Sequence, residues 1–357
     1  MTRKIAVIGA GLAGLYAAWS AASHGADVEL YEKGTIGTKH NCGEMFTEEY
    51  TSVPEECKLN RIEKFKVIIG EKTTDFDFGE TSPFIMTDKC KHELIMKKKC
   101  EDLGVVIHEK TKVHDHIKDR KEIDATGTAL YEFSMGKAVD YVCKDMRTLY
   151  NGVVDNCYKG ISLRSDKVAI FDIRDDVMGY KWFFPRGNDL CNIGEGVYDY
   201  KYKTELMKPV DSSVVFYGGG LLPMPTMNEF YYNMTNYSFM GNIKVGNAAG
   251  LVNSFLGGGE HLAVISGILA GELVAKDNEN KYYDALVDII GDEMRLGISG
   301  YELLRKLDID SVSKLLELKL MEQANYLNVN NKLRKTIKKW ITLPEVTNDD
   351  LTKFVEE

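Results

Sequence analysis

Three glycines near the start of the chain constrain its fold more than any other feature. Gly9, Gly11 and Gly14 form a G-x-G-x-x-G pattern between the apolar run Lys4–Ile8 and the Ala-rich residues 12–24. The run is typical of a buried parallel strand, and the segment after the glycines favours a helix. The first glycine permits a tight turn, the second lets the backbone approach a pyrophosphate, and the third allows close helix–strand packing.

The next segment completes a βαβ unit. Residues 27–32 are strand-like and end on Glu32, which stands 18 residues after Gly14. A carboxylate at that place can accept hydrogen bonds from an adenosine ribose, while the helix N-terminus faces the phosphates. The pattern therefore predicts a dinucleotide site. The alternative is a glycine-rich turn that holds no ligand.

A second glycine-rich segment lies late in the chain. Gly246 and Asn247 follow a short strand-like run, and glycines 257–259 precede a predicted helix over residues 260–273. Two-segment FAD-binding proteins use this arrangement, with the acidic or amide side chain on the ribityl group and the helix dipole near the flavin. A simple NAD dehydrogenase would not need it, so the predicted cofactor is FAD. Gly127 ends a third, weaker element that could lie alongside FAD.

The remaining pattern predicts the fold class. Residues 137–236 alternate apolar and polar side chains and are rich in aromatics, which favours an antiparallel sheet. We expect an α/β (α+β) protein in three parts. They are a discontinuous Rossmann-like FAD-binding domain at 1–60, 85–130 and 240–280, a substrate-binding sheet domain at 61–84 and 131–239, and a C-terminal helical region at 281–357.

Composition excludes several classes of function. The net charge of −9 argues against a nucleic-acid binder, and an odd number of cysteines, seven, excludes a fully paired disulfide framework. No C-x-x-C pair occurs, and His114 and His116 are better explained as a solvated turn than as ligands, so no metal site is expected. The uncharged residues 5–26 could suggest a signal peptide, but the glycine turn and the second strand argue against it.

A family resemblance rests on a motif in the middle of the chain. Tyr180, Trp182, Phe184 and Pro185 form Y-x-W-x-F-P, and after eight further residues comes a G-x-G pattern, Gly194 to Gly196. This resembles the signature of the geranylgeranyl reductases, FAD-dependent flavoproteins of the p-hydroxybenzoate-hydroxylase-like superfamily. A Cys-Gly pair after the second strand resembles the family's motif near the flavin. The landmarks follow the family's order between about residues 5 and 275.

The resemblance implies roles for individual residues. The implied cofactor contacts, besides Gly9, Gly11, Gly14, Gly127, Gly246 and Asn247, are Ala13, Glu32, Lys33, Cys42, Gly43, Met45, Lys89, Val113, Gly258, Gly259 and Glu260. The implied substrate contacts are Tyr180, Trp182, Phe184, Pro185, Gly194 and Gly196, of which Tyr180 and Trp182 join Cys42 as candidate catalytic residues. Three positions depart from the family pattern, because Asn247 replaces an aspartate, Lys89 an arginine and Glu260 an apolar residue.

The activity implied by the resemblance is the saturation of C=C bonds in isoprenoid chains, by hydride transfer from reduced FAD N5 and protonation of the other carbon. Cys42 could tune the flavin, donate the proton or only pack, and we favour positioning or tuning. His40 and Glu44 are alternative proton sources. Each aromatic residue of the motif could equally be sheet core. Two rival functions are a flavin monooxygenase of the same superfamily and a flavin- and lipid-binding protein without turnover.

The expected partners are an isoprenoid lipid and an external electron donor, because the chain has no second G-x-G-x-x-G. A ferredoxin, a reduced deazaflavin and NAD(P)H remain open. Residues 302–321 favour a helix that caps the substrate cavity. Residues 332–341 form a basic amphipathic pattern that suits either a membrane surface or docking on the protein. The expected location is the cytoplasm, with peripheral membrane contact through this segment as the open alternative.

Overall fold

A computed structural model of the chain defines the fold. It describes residues 2–38, 42–48, 51, 53–128, 141–150, 157–158, 161–162, 167–173, 179–187, 190–197, 212–225, 227, 230, 243–304 and 306. The predicted amphipathic helix at 332–341, most of the predicted helix at 302–321, and His40 lie outside these residues. No helix in the described ranges is long and apolar enough to cross a membrane.

The described elements follow one another in this order. The strands are β1 (Lys4–Ile8), β2 (Asp27–Tyr31), β3 (Met45–Thr47), β4 (Lys58–Arg61), β5 (Lys64–Ile69), β6 (Lys72–Asp77), β7 (Phe84–Thr87), β8 (Val106–His108), β9 (Lys121–Asp124), β10 (Tyr141–Tyr150), β11 (Cys157–Tyr158), β12 (Ile161–Ser162), β13 (Val168–Ile173), β14 (Gly179–Gly187), β15 (Leu190–Val197), β16 (Ser212–Leu222) and β17 (Ile243–Lys244). The helices are α1 (Leu12–Ser23), α2 (Lys89–Asp102), α3 (Glu260–Ala275) and α4 (Tyr282–Leu304).

A parallel sheet carries the N-terminal glycine turn. Its five strands run in the order β17-β9-β1-β2-β8, and every neighbouring pair is parallel. This is the Rossmann-like arrangement predicted from the glycines. Helix α1 packs against α3 at very short range, because a Cβ on Gly267 or Gly271 of α3 would stand 2.3 Å from the carbonyl oxygen of Ala13 or Ala17.

A larger sheet forms the other half of the molecule. Its seven strands run in the order β16-β10-β15-β14-β13-β5-β6, and all pairs are antiparallel except β13 with β5. The prediction of a mostly antiparallel sheet is therefore confirmed. Its core is an aromatic cluster, and the members of this cluster are Phe65, Phe76, Phe84, Phe171, Tyr180, Trp182 and Phe184 together with Ile62, Met86 and Ala169.

Two local predictions need correction. The Gly- and Thr-rich residues 33–50 predict a loop, yet β3 lies within them, because it finds a partner in β7 of a small three-stranded sheet. The family resemblance places Val113 at the end of a strand, whereas β8 ends at His108, as the sequence pattern over residues 105–108 predicts. Beyond it, the Lys110 and Thr111 amides donate to carbonyls near the end of β2 rather than continuing the ladder.

Candidate functional site

The first glycine turn combines tight contacts with open space. A Cβ on Gly14 would lie 1.8 Å from the Gly9 carbonyl oxygen, and one on Gly9 would lie 2.2 Å from that of Ala125. A Cβ on Gly11, by contrast, would meet no atom within 4 Å. Gly11 caps α1 without a side-chain hydrogen bond, and the first turn of α1 has no acidic residue. The N–H groups at the start of α1, which no side chain caps, therefore suit a phosphate.

Glu32 closes the same turn. Its side chain is buried, and the carboxylate accepts hydrogen bonds from the Ala10 amide at 3.0 Å and from the Gly34 amide at 2.8 Å. The two amides fix the carboxylate beside Gly9, at the position where the glycine pattern predicts a ribose hydroxyl. Lys33 is exposed next to it.

The late glycine segment lies against the first. Gly246 has a φ of +57°, and a Cβ there would stand 2.9 Å from the Cβ of Ala13. Its amide donates to Ser266 Oγ at 3.0 Å, and Asn247 beside it is half-buried. A Cβ on Gly258 or on Gly127 would meet nothing within 4 Å. The two glycine segments therefore form one cradle with free space along it, as an extended dinucleotide requires.

Glu44 ties the loop after β2 to the rest of the site. It is fully buried, and its backbone φ of +60° is unusual for a residue with a side chain. Its Oε2 lies 2.8 Å from Arg186 Nε and 3.5 Å from Asn192 Nδ2. Its carbonyl oxygen accepts from the Thr87 amide at 2.9 Å. The loop that carries Cys42 is thus held by the sheet and by β7 at once.

The strand register explains the spacing of the aromatic motif. Tyr180 on β14 stands opposite Gly196 on β15, and Trp182 stands opposite Gly194. Alternate residues of a strand share a face, so each ring lies beside a position with no side chain. The glycines leave room beside the aromatic rings that a larger residue would fill.

The motif also reaches the loop of Cys42. Trp182 Nε1 donates to Asn192 Oδ1 at 2.9 Å, and Asn192 Nδ2 donates to the Cys42 carbonyl oxygen at 3.0 Å. A Cβ on Gly43 would lie 3.4 Å from a Phe184 ring atom and 3.7 Å from Trp182 Nε1. Any bulk at Gly43 would press on these rings. The Cys-Gly pair and the aromatic motif therefore belong to one site.

Charged groups cluster at the N-terminus of α3. Lys89 Nζ pairs with Glu93 Oε1 at 2.6 Å, and Glu260 Oε2 lies 3.5 Å from Thr87 Oγ1. Burial raises the pKa of the Glu260 carboxyl. Burial also raises the pKa of the Cys42 thiol well above its ordinary value, and the neighbouring Glu260 carboxylate raises it further. Each shift extends to higher pH the range in which the group keeps its proton.

The structure brings most of the residues singled out from sequence into this region, although their individual roles stay predictions. Tyr180, Trp182 and Phe184 are buried in the aromatic cluster, where ring atoms of Trp182 and Phe184 face Gly43. Met45 packs against the same cluster. Val113 lies in an irregular segment after β8.

Sequence reasoning missed four polar residues, which are Arg186, Asn192, Glu93 and Thr87. Two of them carried a signal. Arg186 directly follows the motif proline, and Asn192 precedes Gly194 by two places and so shares its face of β15. Glu93 and Thr87 had none, since only the tertiary structure brings them to the site.

Other titratable groups lie apart from this region. His116 Nδ1 is 2.8 Å from Glu122 Oε2, on the exposed segment before β9. Among the described residues, no three histidine, cysteine, aspartate or glutamate side chains are grouped so that they could hold a metal ion.

Comparison with known proteins agrees with the fold. A model for an NAD(P)-binding Rossmann-like domain matches residues 7–65. The chain is 25% identical to a digeranylgeranylglycerophospholipid reductase 2 of Methanosphaera stadtmanae, across 88% of this chain and 90% of the relative. A geranylgeranyl bacteriochlorophyll reductase-like protein of Thermoplasma acidophilum shares its fold with a TM-score of 0.74, at 17% identity over 99% of this chain and 98% of that one. The flavin-dependent brominase Bmp2 superposes with a TM-score of 0.59, at 14% identity over 99% and 98%.

The chain is an α/β protein with a Rossmann-like dinucleotide-binding domain and the fold of geranylgeranyl reductase-like flavoproteins. Within that class, it resembles the geranylgeranyl reductases along most of its length, so the resemblance stated from the sequence is confirmed. The prediction of an oxidoreductase of this type is confirmed with it, and a flavin suits the cradle that the two glycine segments form.

Proposed function

We propose that this protein is an FAD-dependent reductase that saturates C=C bonds in the geranylgeranyl or related isoprenoid chains of membrane lipids. The curated relative is named for a digeranylgeranyl glycerophospholipid, which supports a lipid-linked isoprenoid as the substrate. FAD fits the cradle because two uncapped helix N-termini and three glycine positions with free space lie along it. The residues that would hold FAD are those of the two glycine segments together with Glu32, Asn247, Gly43 and Lys89.

One observation carries the proposal. The Y-x-W-x-F-P and G-x-G segments pair in register, so that Tyr180 and Trp182 stand beside Gly196 and Gly194, and the row abuts Gly43 of the flavin side. Rigid aromatic walls next to positions without side chains suit a slim, flexible hydrocarbon chain. We therefore assign the sheet half of the molecule to the isoprenoid and the parallel-sheet half to FAD.

The chemistry sets the tasks of the protein. Bound reduced FAD supplies a hydride, and an isolated alkene accepts hydride poorly. The site must therefore hold the alkene close, exclude water and offer an acid. Trp182 and Phe184 exclude water beside Gly43, since both rings are almost fully buried. The Glu44–Arg186 pair fixes the loop that carries Cys42, so that a proton source keeps its place relative to the rings.

The reductant in this proposal is external. A ferredoxin, a reduced deazaflavin and a transiently bound NAD(P)H each remain candidates. We also propose that contact with a lipid bilayer delivers the substrate, because an isoprenoid lipid has little solubility in water.

The direct test is mass spectrometry of a geranylgeranyl lipid after anaerobic incubation with the dithionite-reduced protein. We expect a gain of two hydrogens for each bond saturated. A fully saturated analogue of the lipid is the control and should keep its mass. Unchanged lipid in the presence of reduced flavin and bound substrate would contradict the proposal. Aerobic NADPH oxidation would then separate a monooxygenase from a non-catalytic binding protein.

A further inference from the structure

A buried polar network joins α4 to the loop that precedes α3. Its members are Glu293 of α4, His261 of α3 and Asn253 of the loop, and all three side chains are almost fully buried. We infer that Glu293 is a positioning residue, which acts through His261 and Asn253. It fixes the loop over residues 253–258, and this loop joins the late glycine segment to Tyr180 of the aromatic motif. The inference rests on the proposed reductase function, because the loop connects the half that we assign to FAD with the half that we assign to the isoprenoid.

The carboxylate of Glu293 accepts from two other elements at once. His261 Nε2 lies 2.9 Å from its Oε1 and 3.1 Å from its Oε2, and Asn253 Nδ2 donates to Oε1 at 3.4 Å. A carboxylate oxygen only accepts, so the imidazole carries a proton on Nε2. The network thus supplies both donors with an acceptor, which burial makes necessary.

Asn253 carries the network into the backbone of the loop. Its Oδ1 accepts from the amides of Phe255 at 3.1 Å and of Leu256 at 3.3 Å. Its own amide donates to the Gly258 carbonyl oxygen at 2.7 Å, and its carbonyl oxygen accepts from the Gly257 amide at 2.7 Å. This one residue therefore determines how the loop folds back on itself. A change in its orientation would disturb all four contacts.

The other side of the loop reaches the aromatic motif. The Tyr180 hydroxyl donates to the Leu256 carbonyl oxygen, and the Leu256 side chain packs against the aromatic cluster. On the side of the cradle, a Cβ on Gly258 would meet no described atom within 4 Å. The loop therefore touches the substrate half through Leu256 and the free space of the cradle through Gly258.

Helix α4 also packs closely against the loop at two glycines. A Cβ on Gly297 would stand 2.9 Å from Asn253 Oδ1, and one on Gly300 would stand 3.0 Å from Phe255 Cδ2. Gly297 follows Glu293 by four positions, so the two residues share one face of α4. This face holds the amide nitrogen of Asn253 by a hydrogen bond and confines its oxygen by contact.

Docking of α4 does not require the polar network. The apolar face of the helix belongs to the main core and includes Leu286, Ile290, Met294 and Ile298. Replacing a buried carboxylate and its partner by apolar residues of similar volume is often neutral for stability. What Glu293 and His261 add is a set of hydrogen bonds with fixed directions. Their effect should therefore fall on the position of the loop.

The first experiment measures the flavin site without turnover. Visible circular dichroism of the bound oxidised flavin is compared in the wild type, the double variant Glu293→Met/His261→Leu, and Glu293→Gln. We expect shifted bands in the double variant, because Asn253 Nδ2 loses its contact with the carboxylate, and a urea midpoint close to that of the wild type. Glu293→Gln keeps an acceptor oxygen and should give intermediate bands. Asp288→Asn removes an exposed carboxylate of α4 and is the matched control. Wild-type bands in the double variant would overturn the inference.

Gly297→Ala tests the same contact from the other side. Alanine favours the helix, but its Cβ would press on Asn253 Oδ1. Gly291→Ala is the matched control, since the nearest atoms to its Cβ belong to Val287 and Arg295 of the same helix. We expect shifted flavin bands in Gly297→Ala alone. If the double variant does not fold, this comparison decides, and identical bands in the two alanine variants would overturn the inference.

Single-turnover saturation of the geranylgeranyl lipid separates failure of this inference from failure of the proposed function. We expect the rate to fall at least about tenfold in the double variant and in Gly297→Ala, because a displacement of about 1 Å near a reacting centre can cost about a hundredfold. The half-saturating lipid concentration should not change, since the aromatic walls stay in place. If the wild type saturates nothing, the proposed function fails. If the wild type saturates the lipid and both variants keep its rate, the positioning role is wrong and the function stands.

Discussion

The N-termini of α1 and α3 have the same cap and different first turns. Gly11 caps α1 and Gly259 caps α3, and neither cap forms a side-chain hydrogen bond. The first turn of α1 has no acidic residue, whereas α3 begins with Glu260. Both helices direct positive partial charge at the cradle. At the N-terminus of α1 only backbone groups carry this partial charge toward the cradle, whereas a buried carboxyl group lies at the N-terminus of α3.

The difference bears on what each helix N-terminus can bind. A helix terminus with bare amides and empty space suits an anion that arrives with the cofactor. The first turn of α3 instead carries a buried carboxyl group, whose pKa is raised by burial although a helix N-terminus favours the ionised form. The residue that follows the capping glycine therefore decides what each terminus presents to the cradle.

The largest effect should follow from Gly14→Ala, which introduces a steric clash in the glycine turn before α1. The new Cβ would stand 1.8 Å from the Gly9 carbonyl oxygen, so the backbone must move. We expect a loss of more than about 3 kcal/mol in the free energy of unfolding. Urea denaturation of the flavin-free protein measures it, and Gly11→Ala should lose less than about 1 kcal/mol. Equal losses in the two variants would refute the steric account.

The next effect should follow from Gly11→Leu, which fills the space at α1 without straining it. Gly11 has an ordinary φ of −72°, and a Cβ there meets no atom within 4 Å. The folded protein should persist while flavin affinity falls by roughly a hundredfold, since about 2.8 kcal/mol of binding is lost. Equilibrium dialysis against FAD reports the affinity. Wild-type affinity in Gly11→Leu would mean that the phosphates bind elsewhere.

The support behind α1 should show as a pH effect on stability. His92 is fully buried, lies 2.8 Å from the Tyr16 hydroxyl, and has its pKa lowered to about 4 by burial and by the charge of Lys89. Below about pH 6.5 the His92 side chain binds a proton in the unfolded chain, whereas in the folded chain it stays neutral down to about pH 4. Stability should therefore fall between about pH 6.5 and pH 4, by about 3 kcal/mol at most. Urea midpoints are measured across this pH range in the wild type and in His92→Gln, and the difference between them gives the contribution of His92. If the midpoints of the variant depend on pH as steeply as those of the wild type, His92 is not the cause.

The smallest effect should follow from Thr87→Val, which alters the pKa of the Glu260 carboxyl at the start of α3. The substitution deletes the long hydrogen bond to Glu260 Oε2 and keeps the shape of the side chain. Because that bond lowers the Glu260 pKa, its loss should raise the pKa further, at a cost of less than about 1 kcal/mol in stability. Because the Glu260 carboxylate raises the Cys42 pKa, the pH profile of Cys42 alkylation by iodoacetamide, followed by peptide mass spectrometry, should move with it. A profile identical to that of the wild type would show that Thr87 does not act on the Glu260 carboxyl.

The sequence predicted the parallel half better than the sheet half. The glycine turn, α1 and Glu32 could be predicted because they belong to one βαβ unit in the first part of the chain, a motif with a known glycine pattern. The antiparallel half was predicted as a class of structure, but not its strand order or its parallel β13–β5 pair. Strand partners depend on chain topology, which alternating hydrophobicity does not encode. The short β3 was missed for the same reason.

The sequence by itself determined the glycines that steric constraints require, above all Gly9 and Gly14. It also determined the Y-x-W-x-F-P motif, through which the chain resembles the geranylgeranyl reductases. Only the tertiary structure decided which polar groups meet. Asn192 reaches Cys42 across 150 residues, and Glu260 reaches Thr87 across 173. Such contacts form only when two sheets and α3 pack together, because burial brings the groups into reach and shifts their pKa. A pattern within a short segment of sequence does not specify contacts between residues so far apart in the chain.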